Sequence, residues 1–269
     1  DRNYGGGMYN DGGDLTVSNC TFSGNKSNGY GGGVYTTNSN MNVTACTFVN
    51  TYSRNNSGGG MYSNSGSPEV ENCTFTGNGA SYENPNDNHG GGLFSYGSSI
   101  KVTNCTFTNN TAKGNGGGIY LTNNSTPEIH HCTFVNNTAD KDGDGNGRGG
   151  GIYVSLGAGD LKITNTIVAD NKYDTTEEDF YLNSGTVGTT SYPSNYNLVE
   201  NSINHTFETD SDGDGNDGNI VGNQTSLNIS GLGDNAMTGD ISLNIDNYYS
   251  ENASFLATQG NLSILNRTS

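Results

Sequence analysis

Between Gly5 and Tyr153 the chain writes three glycines, an aliphatic residue and an aromatic residue six times over. The copies begin at Gly5, Gly31, Gly58, Gly90, Gly116 and Gly149, spaced 26, 27, 32, 26 and 33 residues apart. A second motif runs between them: a β-branched residue, two variable residues, then Cys-Thr-Phe. Self-similarity at this period constrains the fold more than any other feature. It announces stacked supersecondary units, none of which can bury its apolar face without neighbours.

The second motif reads Val17…Cys20-Thr-Phe22, Val43…Cys46-Thr-Phe48, Val70…Cys73-Thr-Phe75, Val102…Cys105-Thr-Phe107 and Ile129…Cys132-Thr-Phe134, with Ile163…Thr166-Ile-Val168 as a sixth copy. Strict alternation would put Val and Phe, five residues apart, on opposite faces of one strand. Both turn inward only if the chain bends between them. The position before Cys is the expected bend, and it holds Asn19, Ala45, Asn72, Asn104, His131 and Asn165. Asn tolerates a left-handed backbone and can hydrogen-bond to its own stacked copy. Val then closes one strand, Cys-x-Phe forms the next, and the glycine run opens a third. Three short parallel strands per rung, stacked at about 4.8 Å, describe an all-β single-stranded parallel β-helix of about eight to ten rungs. The Phe residues Phe22, Phe48, Phe75, Phe107 and Phe134 become its core ladder.

Composition read alone gives a contrary answer. Leu, Ile, Val and Phe make up about one residue in six, and the formal net charge is −17, the pattern of a chain too apolar-poor to order itself. Periodicity overrules it, because a solenoid needs only a thin apolar stack per rung. With 10 Lys plus Arg against 27 Asp plus Glu, the chain offers no basic patch for nucleic-acid phosphates or anionic lipid. Its longest apolar runs are too short to cross a bilayer, so membrane insertion is not expected. The five cysteines, Cys20, Cys46, Cys73, Cys105 and Cys132, track the repeat and not a metal site. They read as a ladder of buried, reduced thiols, with Thr166 in the sixth place.

Phe-x-x-Asn paired with Gly-Gly-x-aliphatic resembles the repeat signature of the polymorphic outer-membrane protein family of bacterial surface adhesins. Phe22…Asn25, Phe75…Asn78, Phe107…Asn110 and Phe134…Asn137 match its first half; Phe48 is followed by Thr51, and Val168…Asn171 keeps the Asn. The resemblance covers residues 1–171. It implies a right-handed, pectin-lyase-like β-helix exposed on a cell surface. Residues 1–175 are expected to form the regular helix of six repeats, and 176–269 its less regular terminal rungs or cap. That second part is similar to the last rungs of anchor-bearing extracellular β-helix proteins. Asp179–Leu182, Thr186–Gly188, Tyr196–Glu200 and Asn219–Gly222 read as strands of wider rungs, with Ser226–Ile229, Ile241–Ile245 and Leu262–Leu265 finishing the stack.

Asp140, Asp142 and Asp144, followed by Gly145, share the spacing Asp-x-Asp-x-Asp-Gly with Asp210, Asp212, Asp214 and Gly215. In a calcium loop of this kind, positions 1, 3 and 5 turn carboxylates toward one hard cation, Gly at 6 permits the turn, and position 7 offers a carbonyl. Asn146 and Asn216 hold position 7, and Asp217 is an added ligand candidate. Both loops lack the acidic residue at position 12. Ca²⁺ is therefore the expected cofactor, in a structural role.

Tyr9, Tyr35, Tyr62, Phe94, Tyr120 and Tyr153 each follow an inward aliphatic and should align as an outer stripe. The stripe either receives sugar rings or a partner's apolar face, or lies beneath the chain's own loops or C-terminal segment, or is ordinary cross-rung stacking. Asn42, Asn109, Asn204, Asn223 and Asn252 head N-glycosylation sequons. A lyase would need a basic residue beside a cation loop, where Arg148 stands; a hydrolase would need paired carboxylates on one strand face, where Ser, Thr and Asn predominate. The expected function is a non-catalytic, Ca²⁺-stabilised extracellular β-helix, either an adhesin or a fibre-forming module. The alternative is a polysaccharide lyase or glycoside hydrolase with its site beneath the long loops. Expected partners are further β-helix subunits or an upstream β-helix stacked end to end, glycans, and host or cell-surface proteins.

Overall fold

The computed structural model describes residues 3–80, 88–123, 125–187 and 197–199, and the residue pairs 202–203, 220–221, 227–228 and 240–241. The chain winds as a parallel β-helix, every turn placing its strands directly over those of the turn before. Strands that follow the glycines (Met8–Asp11, Val34–Thr37, Met61–Asn64, Leu93–Tyr96, Ile119–Thr122) pair in register, Val34 beside Met8 and Met61. The Val strands form a second column, from Thr16–Ser18 to Glu128–His130. At the sixth turn one 13-residue strand, Ile152–Thr164, joins both columns. The Phe strands make a third column of eight, from Thr21–Ser23 to Ile220–Val221.

Sequence reading anticipates those three columns; a fourth appears beside them. Two-residue strands (Lys26–Ser27, Tyr52–Ser53, Gly79–Ala80, Thr111–Ala112, Thr138–Ala139, Lys172–Tyr173) pair in parallel within what reads as a variable loop. Two residues carry no detectable alternation, so periodicity misses them. The short column ends where Lys172–Tyr173 folds back antiparallel onto Thr176–Glu177. Of the expected late strands, Phe180–Val187, Leu198–Val199 and Ile220–Val221 stack as rungs. Leu227–Asn228 instead pairs antiparallel with Asp240–Ile241, which departs from a simple completion of the stack. The segment around Leu262 lies outside the described residues.

Left-handed residues make the corners. The expected bend column has φ of 53° at Asn19, 52° at Ala45, 54° at Asn72, 53° at Asn104, 58° at His131 and 53° at Asn165. Another left-handed column follows the Phe strands: Gly24, Asn50, Gly77, Asn109, Asn136 and Asp170. The glycine triplets answer three separate demands, seen at Gly116–Gly118. Gly116 is left-handed at φ 68°. A Cβ on Gly117 would stand 2.5 Å from Gly150 O and 2.5 Å from the Thr138 backbone. On Gly118 it would stand 2.5 Å from Gly151 O and 3.1 Å from the Phe134 ring. The Gly and Phe motifs recur together because they touch.

Inside, Phe48, Phe75, Phe107 and Phe134 are wholly buried, their rings stacked 4.4–4.6 Å apart. Phe22 of the first rung is only partly buried, having a described neighbour on one side. Met41, Ile100 and Leu161 add a further inward column beside the Val ladder.

Candidate functional site

The asparagines of Phe-x-x-Asn form a buried ladder along the inside of a corner. Asn78 donates its backbone N–H and its Nδ2 to Asn110 Oδ1 (3.0 and 2.9 Å), and Asn110 does the same to Asn137 Oδ1 (3.0 and 2.9 Å). Asn137 passes the pattern to Asn171 (2.9 and 2.8 Å), whose donors end on Asp179 Oδ1 (2.9 and 2.8 Å). The remaining Nδ2 hydrogens reach back to Phe48, Phe75 and Phe107 carbonyls at 2.9–3.0 Å. Thr51 joins the ladder through its N–H to Asn78 Oδ1 (3.0 Å). The bend asparagines differ: Asn104 donates to Asn72 and Asn165 meets His131 Nε2 at 2.8 Å, both on the outside.

All five cysteines are free thiols. Cys46, Cys73, Cys105 and Cys132 are buried as expected, but Cys20 is exposed, because no described rung covers its outer side. Each buried thiol from Cys46 to Cys132 lies 3.5–3.6 Å from the carbonyl of the Val one turn before. Burial pushes the Cys46 and Cys105 thiols up; contact with Cys105 and then burial raise Cys73. The Cys132 N–H reaches Thr166 Oγ1 at 3.3 Å, so Thr166 occupies the sixth place.

The aromatic stripe is continuous. Ring centroids from Tyr9 through Tyr35, Tyr62, Phe94, Tyr120 and Tyr153 lie 4.8–5.4 Å apart with planes within 11°. Tyr181 extends it by 5.4 Å. Its faces are spent on each other, and residues preceding the glycines lie over it. Tyr30 meets Tyr62 edge-on at 4.6 Å and His89 stacks on Tyr120 at 4.8 Å. Tyr35, Tyr62, Phe94 and Tyr153 keep only 6–8 % of their surface exposed, whereas Tyr9 keeps 47 %. Burial raises the phenols of Tyr62, Tyr120 and Tyr153. It also lowers His89 to about 4, and His89 Nδ1 accepts the Asn115 N–H at 2.9 Å, as a neutral imidazole can.

Among the described residues, the strongest cluster of ligand-type groups is the first Asp loop. Asp140 follows the short strand Thr138–Ala139 in a left-handed conformation (φ 51°) and is 1 % exposed. Gly147 packs against it: a Cβ there would stand 2.4 Å from the Asp140 nitrogen. Asp140 Oδ2 accepts the Gly145 N–H at 2.9 Å, while its buried Oδ1 has no hydrogen-bond partner. Asp142 and Asp144 stand exposed above it, and one oxygen from each of the three carboxylates lies within 4.8 Å of the others. Ca²⁺ binds oxygens at about 2.3–2.6 Å, so oxygens around one ion fall within about 5 Å of each other. Burial raises the Asp140 carboxyl, and the Asn146 N–H at 3.0 Å lowers Asp144. Lys113 of the preceding rung contacts Asp142 Oδ2 at 3.1 Å.

Other candidates are committed elsewhere. The Arg148 guanidinium stacks on Tyr173 (4.0 Å) and faces Glu178 at 3.6 Å, while Glu178 also accepts the Gly149 N–H at 2.7 Å. His130 sits in an outward network with Glu128, Thr164 and Lys162. Of the sequons, Asn109 is exposed at its corner and Asn42 is half-buried in a strand. Asn204, Asn223 and Asn252 lie outside the described residues, as does the second Asp loop with Asp210, Asp212, Asp214, Asn216 and Asp217.

A stacked parallel β-helix built from ladders and left-handed corners is thus the class of protein this chain forms. A family model described as right handed beta helix region matches residues 8–232, and the chain belongs to that family. No curated protein and no solved structure matches it.

Proposed function

We propose that this chain is a non-catalytic extracellular β-helix, rigidified by Ca²⁺, that serves as a surface adhesin or structural module. The observation that carries the reading is the buried, unpartnered Oδ1 of Asp140 beneath two further carboxylates. A buried carboxylate oxygen with no donor is costly, and a divalent cation shared with Asp142 and Asp144 removes that cost. With no acidic residue at position 12, the loop by itself should bind Ca²⁺ weakly, in the range that suits the calcium levels outside cells. The repeat pairing of Phe-x-x-Asn with Gly-Gly-x-aliphatic, as in the polymorphic outer-membrane protein adhesins, supports display on a surface. Arg148 speaks against a lyase site, since its guanidinium is engaged by Tyr173 and Glu178 beside the very loop where a proton abstractor would be needed.

Chelation tests the reading. The calcium-loaded protein should be more stable by about 2.7 kcal/mol at a hundredfold excess over Kd, and Asp140→Asn together with Asp212→Asn should abolish the difference. Incubation with acidic and neutral polysaccharides should yield neither unsaturated products nor new reducing ends. Equal melting with and without chelator would remove the cation from this account, and product formation would replace a scaffold with an enzyme.

A further inference from the structure

The first Asp loop is short of one acidic ligand within its own span: position 12, where a bidentate carboxylate usually completes a loop of this spacing, is Gly151. The next rung brings a carboxylate beside the loop, just outside the cluster of three. Lys172–Tyr173 pairs in parallel with Thr138–Ala139, and Asp174 follows it in a left-handed conformation (φ 49°), as Asp140 follows Ala139. The Asp174 N–H donates to Ala139 O at 2.9 Å, which fixes its height over the loop. A Cβ on Gly143 would stand 3.4 Å from Asp174 Oδ1 and 3.9 Å from Oδ2. Gly143 lies between Asp142 and Asp144, so the Asp174 carboxylate rests against the segment joining two of the clustered carboxylates.

We propose that Asp174 is the missing acidic ligand, so that one Ca²⁺ ties the fifth rung to the sixth. The inference rests on the cation reading given above and extends it from a loop to a joint between rungs. The location gives the joint a purpose. Here the apolar ladders weaken, with Val168 in place of Phe and Thr166 in place of Cys, and the column of short parallel strands ends at Lys172–Tyr173. A hard cation held by carboxylates from both rungs would bind them where the Phe and Cys ladders end.

The test uses the 269-residue chain freed of metal, titrated with Ca²⁺ alone by calorimetry, with hydrogen exchange followed at the Lys172 and Asp174 amides. The variants are Asp140→Asn, Asp174→Asn and, as a distant control, Asp11→Asn. Asp174 is exposed, so Asp174→Asn should fold. Losing one carboxylate should weaken binding at least about tenfold. It should also erase the calcium-dependent protection of those two amides, while Asp11→Asn changes neither. Should Asp140→Asn lose binding while Asp174→Asn binds like wild type, the ion is held by the loop alone and the joint is refuted. Should Ca²⁺ leave those two amides unprotected in the wild type and Asp140→Asn bind it like wild type, the first loop holds no ion, and the cation reading there and the joint fall together.

Discussion

At the scale of single residues, two kinds of asparagine do different work, and the sequence separates them only in part. The bend asparagines are legible because Val and Cys-x-Phe cannot both face inward without a turn between them, and left-handed φ values from Asn19 to Asn165 bear this out. Phe-x-x-Asn is legible as a motif, but its role is not. Nothing local says that Asn110 points inward, because the ladder is made by residues about 27–35 positions apart. The consequence for stability is unequal. Asn110→Ala removes the acceptor for two Asn78 donors in a buried setting, and each orphaned group costs about 1–3 kcal/mol. A loss of about 3–5 kcal/mol is expected. Asn104→Ala gives up one exposed hydrogen bond and an easier left-handed backbone, worth about 1 kcal/mol. Denaturant titration of both variants checks the contrast, and equal losses would place Asn110 outside the load on the fold.

At the scale of elements, the three columns that carry a repeated motif were readable and the two-residue column, which carries none, was not. The Val and Phe strands show inward–outward alternation, with burial rising and falling residue by residue from Asn42 to Val135. The two-residue strands offer no period, and their pairing follows from the glycines across from them. Gly117 lies so close to the Thr138 backbone that any side chain would push the short strand away. That contact explains why three glycines recur where a left-handed turn needs one. Gly117→Ala should therefore cost well beyond the roughly 1 kcal/mol by which glycine and alanine ordinarily differ through backbone freedom. Gly24 supplies the comparison, being left-handed at φ 61° but with open space around a Cβ. Thermal unfolding of Gly117→Ala and Gly24→Ala should show the larger drop for Gly117. The reverse order would mean that corner conformation, not close approach of rungs, sets the glycine requirement. The Asp loop was legible as a ligand set from its spacing, whereas Asp174 was not, since only the stacking of rungs brings it near.

At the scale of the whole molecule, a stack of similar rungs couples local titration to the stability of its neighbours. His89 is the clearest case. It lies over the aromatic stripe between Phe94 and Tyr120, accepts the Asn115 N–H through Nδ1 and is lowered by burial to about 4 from an ordinary 6.5. Protonation would set a second N–H against that of Asn115 and strand a charge among rings. The sign follows from the proton count. Between pH 6.5 and 4 the unfolded chain holds a proton on this residue that the folded chain refuses, so stability falls as pH falls through that window and levels off below it. A shift of this size corresponds to about 3 kcal/mol. Burial lowers His130 and His131 as well, in the same direction. Glu178, raised by burial, acts oppositely: its folded form holds a proton more tightly, so its contribution declines as pH rises above the ordinary carboxylate value. Subtracting a His89→Gln curve from the wild-type curve isolates the histidine, because glutamine offers an acceptor to Asn115 but takes up no proton. Unfolding free energies measured from pH 7.5 to 4 should fall less steeply in His89→Gln than in wild type, with the two curves drawing together toward the acid end. Parallel curves would mean that His89 is protonated in the folded protein at an ordinary pH, and that the stripe is open to water where it stands.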